Sequence, residues 1–266
     1  MRIMTCLFLA LVLMCQSADA GEKKPFHWVD DADYPPLIYQ GKDGKPAGIF
    51  YEIMTEAFRR LDIPLQVEVY PWSRAQKIVA SGRADGMVTV LTESRKELFL
   101  GSDPIFLVSE HIFVNKNNPH IEEIKAIRSL KAILPFKVVE IIGSGWTKEN
   151  LIGANIIWVP EMDNAFNMLI KGRADIFIAN RFVGAQFLKE KLRERGKNSE
   201  GYKNIVTTPY PLKTIAFRLL IQKKSPFVKI LDRFNDTIHQ MQQDETIKHI
   251  LERSQLPQLD GAHNQR

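Results

Sequence analysis

Cysteine is nearly absent from this sequence, since 266 residues include only Cys6 and Cys15. Both lie within the first 20 residues, so a chain that loses this segment carries none. A disulfide framework, a cysteine-ligated metal and a cysteine nucleophile are then excluded together. Long apolar runs are also missing beyond this segment, which excludes a membrane-spanning helix in the body of the chain.

A strong excess of one charge is absent as well. Lys and Arg number 36 against 31 Asp and Glu, and the densest basic stretch, residues 189–195, alternates basic and acidic side chains. Such alternation is typical of a solvated helix face rather than of a nucleic-acid patch. The six histidines form no i,i+4 or His-x-His pair, so we expect neither a metal site nor a cofactor.

The N-terminal segment has the three parts of an export signal. Arg2 gives it a positive start, residues 3–14 are apolar, and Ala18-Asp19-Ala20 is a small-x-small cleavage site. We therefore predict a cleaved signal peptide over residues 1–20 and a periplasmic protein of a Gram-negative bacterium. A lipid anchor on Cys15 is the alternative, although Met14 stands where a small residue is wanted.

An internal repeat organises the rest of the chain. Gly82-Arg83-Ala84-Asp85 recurs 90 residues later as Gly172-Arg173-Ala174-Asp175. Each copy follows an apolar pattern of helical spacing and precedes a short apolar run of strand type. We interpret each glycine as the left-handed end of a helix, after which the chain turns into a buried parallel strand. The charged residues of both copies are predicted to be structural, and the two units predict two similar α/β lobes.

Strands and helices alternate elsewhere along the chain. Strands are predicted at 26–29, 65–69 and 138–142, a helix at 51–61, and one long helix at 227–249. This alternation predicts parallel sheets wound in α/β fashion.

Several short motifs follow one another in a fixed order: Tyr34-Pro35-Pro36-Leu37, the first repeat copy, Thr92-Glu93-Ser94-Arg95, Ser102-Asp103-Pro104, Gly143-Ser144-Gly145, the second repeat copy and Ala216-Phe217. Each motif is weak alone. Their order and spacing resemble those of the bacterial extracellular solute-binding proteins of family 3, which are the polar amino-acid receptors of ABC importers. The resemblance covers nearly the whole chain after the predicted signal peptide.

The resemblance implies a type II periplasmic-binding-protein fold, in which two α/β lobes with parallel sheets, joined by two crossings, close over a ligand. Lobe 1 would comprise residues 21–108 and 212–266, and lobe 2 residues 113–206. The crossings would lie at 109–112 and 207–211. Ligands of such sheets lie between the lobes, outside the carboxyl ends of the strands.

A carboxylate clamp is the first part of the site that the resemblance implies. Arg95, which ends the Thr-x-x-Arg run, would bind the ligand α-carboxylate with its guanidinium fork. Thr89 and Val90 end the preceding strand, where a backbone N–H and a hydroxyl would complete the cradle. The alternative for Arg95 is a surface ion pair with Glu93 or Glu97.

The other lobe 1 candidates would contact the ligand side chain or its amine. Tyr34 and Trp72 fall where the family places aromatic rings that flank the ligand, and loop packing is the alternative for both. Arg74 would either reach the cleft or cap its helix. Asp31 matches a family acid that meets the ligand amine, although two further acids crowd the same segment.

On lobe 2, Ser144 and Gly145 open a predicted helix whose free N–H groups and hydroxyl would attract an anionic ligand group. Asn180 departs from the family, because the strand after the second repeat copy commonly ends in an aspartate that pairs with the ligand ammonium. An amide supplies no counter-charge, a difference of roughly 1–3 kcal/mol. The expected ligand is therefore either a standard amino acid or one of three alternatives: a dicarboxylate, another small acid or a modified amino acid.

The resemblance implies a monomer that captures a small amino acid-like or carboxylate ligand without catalysis and delivers it to an ABC permease in the membrane. A signalling protein in the membrane is the alternative partner. An enzyme is the alternative of another class, since cyclohexadienyl dehydratases resemble this family and use a cleft carboxylic acid with a raised pKa. Glu110 and Glu140 are the candidates for that acid, but we expect neither to lie beside the cleft residues.

Overall fold

The structure is a computed structural model that describes residues 23–194 and 199–254. The predicted signal peptide and its cleavage site lie outside the described residues. Within the described part, no helix is both long enough and apolar enough to cross a membrane.

Strands and helices alternate over the described ranges. The strands, β1–β13, are Phe26–Asp31, Asp33–Tyr34, Ile38–Gln40, Pro46–Ala47, Leu65–Tyr70, Gly86–Val90, Phe99–Gly101, Phe106–Asn115, Lys137–Ile141, Asn155–Val159, Ile176–Asn180, Ile205–Thr207 and Lys213–Gln222. The α-helices, α1–α10, are Ile49–Leu61, Trp72–Ala80, Glu93–Lys96, Ile121–Lys125, Gly145–Asn150, Met162–Ile170, Arg181–Arg193, Ser199–Tyr202, Leu231–Gln243 and Thr246–Arg253. Short 3₁₀ helices lie at Leu130–Ile133 and Pro226–Ile230.

Each lobe is built on a parallel sheet, as predicted. In the first lobe β1 lies between β5 and β6 and runs parallel to both. In the second lobe β9 lies between β10 and β11 and runs parallel to both. Helices α1 and α6 bury apolar side chains at a spacing of three and four residues, so each presents one face to the core.

Two long antiparallel strands, β8 and β13, connect the lobes. The first half of β8 pairs with β13, and its second half pairs with β11 and β12. Because the connecting strands pair with each other, the strands of both lobes join into one mixed sheet of ten strands. The sequence did not predict this continuity. The lobe boundaries at 108 and 113, and at 206 and 212, stay a prediction.

Both copies of the repeat fold as predicted. Gly82 and Gly172 have φ angles of 76° and 61° and follow α2 and α6. The Asp85 carboxylate accepts a hydrogen bond from a backbone N–H in β1, and the Asp175 carboxylate from the first N–H of β9. Each aspartate therefore ties its turn to a neighbouring strand, which agrees with a structural role.

The single long helix predicted at 227–249 is wrong. This segment divides into a 3₁₀ turn, α9 and α10, and Glu245 at the break has a φ of 62°, outside the helical region. The Asp244 carboxylate accepts a hydrogen bond from the N–H of Thr246 at 3.1 Å, which satisfies a donor at the start of α10. Apolar periodicity continues through the break, so it gave no signal of the interruption.

Gly184 in α7 packs directly against the ring of Phe113 in the core of the second lobe. A Cβ here would lie 2.2 Å from Phe113 Cζ, and that ring is fixed edge-on against Phe166. We expect Gly184→Ala to lower the free energy of unfolding by about 1–3 kcal/mol, because overpacking outweighs a gain in helix propensity of about 1 kcal/mol. Denaturant unfolding measures the change.

Two further variants control this prediction. Lys189→Ala changes an exposed residue of the same helix and should leave the free energy of unfolding nearly unchanged. Gly184→Ala should be less destabilising in a Phe113→Leu background, because the smaller side chain gives the added methyl room. An equal loss in both backgrounds would contradict the overpacking account.

Candidate ligand-binding site

A cavity of about 270 Å³ lies between the two lobes. Carboxyl ends of strands from both lobes border it, where α/β sheets place their ligands. Nine of the ten residues predicted for the site line this cavity: Asp31, Tyr34, Trp72, Thr89, Val90, Arg95, Ser144, Gly145 and Asn180. The sequence motifs therefore converge on one place in the fold.

Arg74 is the predicted site residue that does not line the cavity. Its side chain is exposed, and its guanidinium carbon lies 4.3 Å from the centre of the Tyr70 ring. Trp72, two positions earlier on α2, does line the cavity. Residues two apart on a helix point in different directions, so Trp72 and Arg74 cannot both face the cleft.

Arg95 is held in a fixed position by the first lobe. Its Nη1 donates to the Val90 carbonyl at 2.7 Å and to Thr89 Oγ1 at 3.1 Å, and its Nη2 donates to Gln76 Oε1 at 2.7 Å. Burial lowers the pKa of Arg95 to about 10, so the guanidinium remains charged at neutral pH. Thr89 and Val90 thus orient the arginine, a role that the sequence analysis did not assign to them.

The alternative interpretation of Arg95, a surface ion pair, does not hold in the structure. Glu93 pairs instead with Lys96 at 2.5 Å, and Glu97 is exposed. Among the described residues, protein acceptors take three of the five N–H groups of Arg95. Two N–H groups remain for a ligand carboxylate.

The three aspartates near the end of β1 have different surroundings. The Asp30 carboxylate accepts hydrogen bonds from Trp28 Nε1 and from the N–H groups of Asp31 and Val88, at 2.7 to 2.9 Å. The Asp31 carboxylate accepts one, from the N–H of Asp33 at 3.1 Å. Burial raises the pKa of Asp30 to about 6 and that of Asp31 to about 7. The Asp30 carboxylate is therefore hydrogen-bonded within the protein, whereas the Asp31 carboxylate can accept further hydrogen bonds.

Tyr34 and Trp72 form aromatic walls of the cavity; that they flank a ligand stays a prediction. Trp72 lies 5.4 Å from the guanidinium carbon of Arg95, measured from the ring centre, and its Nε1 donates to the Gly143 carbonyl at 3.3 Å. Burial, followed by nearby carboxylates, raises the pKa of Tyr34 well above its usual value, so the hydroxyl remains protonated.

Ser144 begins a short polar chain in the second lobe. Its hydroxyl donates to Thr147 Oγ1 at 2.8 Å, and Thr147 Oγ1 donates to Glu140 Oε2 at 2.7 Å. Ser144 Oγ also accepts from the Thr147 N–H, so it caps its own helix. An ideal Cβ on Gly145 would lie 3.5 Å from the Arg95 guanidinium, which shows how closely this helix approaches the first lobe.

Asn180 is the N-cap of α7. Its Oδ1 accepts hydrogen bonds from the N–H groups of Phe182 and Val183, at 2.8 and 3.4 Å. Its Nδ2 is buried and has no acceptor among the described residues. The amide oxygen is thus committed to the helix, and only an N–H donor is left for another partner.

Glu110 on β8 and Glu140 on β9 also line the cavity, so the expectation that neither lies near the cleft is wrong. Glu140 accepts from the N–H of Ile141 and from the Thr147 hydroxyl, and burial still raises its pKa to about 7. The Glu110 carboxyl has no hydrogen-bond donor in the described part of the chain. Burial, and then the charge of Glu140, raise its pKa to about 8. A glutamate inside an apolar strand was the sequence signal for both.

The lobes contact each other across the cavity through residues that the sequence analysis missed. Gln76 Nε2 donates to the Gly143 carbonyl at 3.3 Å. The Glu149 carboxylate of α5 accepts hydrogen bonds from the N–H groups of Glu93 and Ser94 and from the Ser94 hydroxyl, at 2.9 to 3.0 Å. Although partial burial raises the pKa of Glu149, these hydrogen bonds hold it below its ordinary value.

Glu149→Ala is expected to weaken ligand binding about tenfold, or about 1.4 kcal/mol, because it removes the hydrogen bonds that join the lobes. Calorimetric titration measures the affinity, and small-angle X-ray scattering of the ligand-free protein should give a larger radius of gyration. Glu97→Ala, at an exposed glutamate, is the matched control and should change neither value. Equal effects of the two substitutions would refute the role of Glu149.

Comparison with known proteins places this chain in a family. Residues 27–254 match the bacterial extracellular solute-binding proteins, family 3. The chain is 22% identical over 228 residues to the L-cystine-binding protein TcyJ of Escherichia coli (strain K12), and the match covers 84% of this chain and 79% of that protein.

Solved structures share the fold. A histidine kinase sensor domain with similarity to periplasmic binding proteins has a TM-score of 0.73 at 18% identity, covering 88% of this chain and 99% of that one. An ancestral amino acid-binding protein, a precursor of cyclohexadienyl dehydratase, has a TM-score of 0.65 at 22% identity, covering 85% and 92%. The two-lobed fold, the family and the solute-binding function expected from the sequence are confirmed. The chain is a member of the bacterial extracellular solute-binding proteins, family 3.

Proposed function

We propose that this protein captures a small amino acid or a related carboxylate between its two lobes. The observation that carries the proposal is the half-buried, charged Arg95, which three protein acceptors hold in place inside the cavity. A fixed guanidinium with two N–H groups to spare suits a carboxylate, which it can bind with paired hydrogen bonds. Because its orientation is set before the ligand arrives, little ordering cost remains at binding.

The remaining walls of the cavity support a ligand with both polar and apolar parts. Tyr34 and Trp72 offer ring faces, and Phe50, Phe177 and Phe217 add apolar surface. Asp31, Glu110 and Glu140 give one part of the cavity an acidic character. A zwitterion fits this combination of one cation, several acids and aromatic walls.

Closure of the lobes is the proposed mode of capture. Contacts from α2 and α3 to the second lobe join the two sides of the cavity, so the ligand is shielded from water when they form. A ligand that bridges the lobes favours this closed form by its differential affinity for it. The closed form is then the state that a membrane partner recognises.

The proposed setting is the periplasm, with export directed by residues 1–20, and the proposed partner of the monomer is an ABC permease. The family and the cystine-binding relative support this assignment. The sensor domain of similar fold favours a second partner class, a membrane signalling protein that reads the same closed form.

An enzyme on the same fold is a second candidate, favoured by two buried carboxyl groups in the cavity. Glu110 and Glu140 have pKa values of about 8 and about 7, so each can carry a proton near neutral pH and act as a general acid. Incubation of the purified protein with arogenate and prephenate tests it. Release of phenylalanine or phenylpyruvate, lost in Glu110→Gln or Glu140→Gln, would establish catalysis.

A thermal-shift panel tests the proposed function. The full chain is expressed, purified, and then denatured and refolded to remove any bound ligand. The panel holds the twenty standard amino acids, L-cystine, small dicarboxylates and polyamines. A ligand at a thousandfold its Kd should add about 4 kcal/mol, which means roughly 8–16 °C in the unfolding midpoint. A panel without any shift would contradict the proposal.

A further inference from the structure

We propose that Glu110 supplies the negative charge that pairs with a ligand α-ammonium group, a charge that the neutral amide of Asn180 cannot supply. The ligand is therefore an α-amino acid rather than a simple carboxylate. This inference rests on the proposed function, in which Arg95 binds the ligand carboxylate. It adds the second recognition element on the opposite side of the cavity.

The first observation is that the side-chain carboxyl of Glu110 accepts no hydrogen bond from the described residues. Its side chain lines the cavity, the residue is only 6% exposed, and no group of residues 23–194 or 199–254 donates to the carboxyl. Asp30 and Glu140, the other strongly buried acids of the cavity, accept three and two hydrogen bonds. Glu110 therefore differs from these neighbours in that its carboxyl, at the cavity wall, is free to accept hydrogen bonds from a bound ligand.

The second observation is the register of Glu110 with Asn180. The two residues are direct partners in the antiparallel pairing of β8 with β11, so their side chains lie on the same face about 5 Å apart at Cβ. A carboxylate at 110 therefore reaches the same part of the cavity as a carboxylate at 180. Glu110 can therefore provide, in this part of the cavity, the negative charge that the amide of Asn180 does not.

The third observation is that no cationic side chain of residues 23–194 or 199–254 forms a salt bridge with Glu110. On β13 its direct register partner is Lys213, whose ammonium lies 3.4 Å from Asn150 Oδ1 instead. The groups that share its surroundings are Asp31 of β1, Tyr34 of β2 and Glu140 of β9, all acidic or neutral. A cationic group of the ligand is the partner that this environment favours.

The chemistry of Glu110 agrees with this role. Burial and the charge of Glu140 raise its pKa to about 8, and an ammonium group would stabilise the ionised form. Once ionised, the carboxylate can accept hydrogen bonds from the ligand ammonium and from the unpartnered Nδ2 of Asn180 together. The ligand ammonium and the Asn180 amide would then share one carboxylate as their acceptor.

The test compares each amino acid with the acid that lacks only its amine. The probes are the twenty standard L-amino acids and their desamino counterparts, titrated by calorimetry into the refolded full-chain protein and three variants. The variants are Glu110→Gln, Asn180→Asp and the combination of both. Aspartate caps a helix as well as asparagine does, so the fold of α7 is preserved. Glu122→Gln, at an exposed glutamate, is the matched control.

We expect Glu110→Gln to weaken binding of the preferred amino acid about 100-fold and to change binding of its desamino counterpart less than threefold. The combined variant should bind the amino acid at least tenfold more tightly than Glu110→Gln does, because Asn180→Asp places a carboxylate on the partner strand β11. Unchanged amino acid affinity in Glu110→Gln, or an equal loss for both probes, would overturn the inference and leave the proposed function intact. A wild-type protein that binds none of the probes would instead overturn the proposed function.

Discussion

Arg95→Ala is expected to weaken binding of the preferred amino acid by at least 100-fold, while the protein stays folded. Paired hydrogen bonds between a guanidinium and a carboxylate contribute about 1.5–3 kcal/mol each, and the cavity excludes the water that would replace them. Thr89, Val90 and Gln76 accept from the guanidinium through neutral groups, and the buried Asp30 carboxylate near Arg95 keeps its own three hydrogen-bond donors, so the fold should tolerate the loss. Calorimetric titration measures the affinity, and the thermal unfolding midpoint reports on the fold.

Two further variants, Arg95→Lys and Arg74→Ala, test this prediction more closely. Arg95→Lys keeps the positive charge but lacks the planar fork, so its affinity should fall between those of the wild type and Arg95→Ala. Arg74→Ala removes a guanidinium of the same kind that stacks on Tyr70 outside the cavity, and its affinity should equal that of the wild type. A loss in Arg74→Ala without a loss in Arg95→Ala would reverse the assignment.

The affinity for an α-amino acid is expected to rise about tenfold for each pH unit between about 6 and 8. In the free protein Glu110 has a pKa of about 8, raised by burial and by Glu140, so it is mainly protonated below that pH. An ammonium group binds the ionised form, and the proton must leave at a cost of about 1.4 kcal/mol for each pH unit below 8. Binding at pH 7 should therefore release a proton, measurable by calorimetry in buffers of different ionisation enthalpy.

The other titratable groups near Glu110 define the controls for this pH dependence. Arg95 and Tyr34 keep their protons throughout the range, because burial leaves the pKa of Arg95 at about 10 and raises that of Tyr34. Asp31 and Glu140, with pKa values of about 7, add to the dependence near neutrality. Glu110→Gln should flatten the profile above pH 7. An affinity that falls as the pH rises would contradict the account.

Local patterns allowed most of the fold to be predicted. The two Gly-Arg-Ala-Asp copies identify a helix end, a left-handed turn and a buried strand, because each step depends on neighbouring residues. The resemblance to the family, and not a local pattern, placed Arg95 and Trp72 at the cleft, and both line the cavity. For Arg74, which the sequence left open between the cleft and a helix cap, the direction of its side chain on α2 relative to that of Trp72 excludes the cleft.

The remaining parts of the site depend on contacts between segments far apart in the sequence. The partnership of Glu110 with Asn180 requires the register of β8 against β11, which no local pattern gives. The approach of Glu149 to Ser94 requires the arrangement of the two lobes. The capping role of Asn180 was the exception, because an asparagine before a helical stretch is a recognised N-terminal signal that the sequence analysis left unused.

A crystal structure with the amino acid that gives the largest thermal shift tests the central claim most directly. We expect a ligand between the lobes, with its carboxylate on the guanidinium of Arg95 and its ammonium within hydrogen-bonding distance of the Glu110 carboxylate. The side chain should lie between Tyr34 and Trp72. A ligand bound outside this cavity, or one whose carboxylate does not contact Arg95, would contradict it.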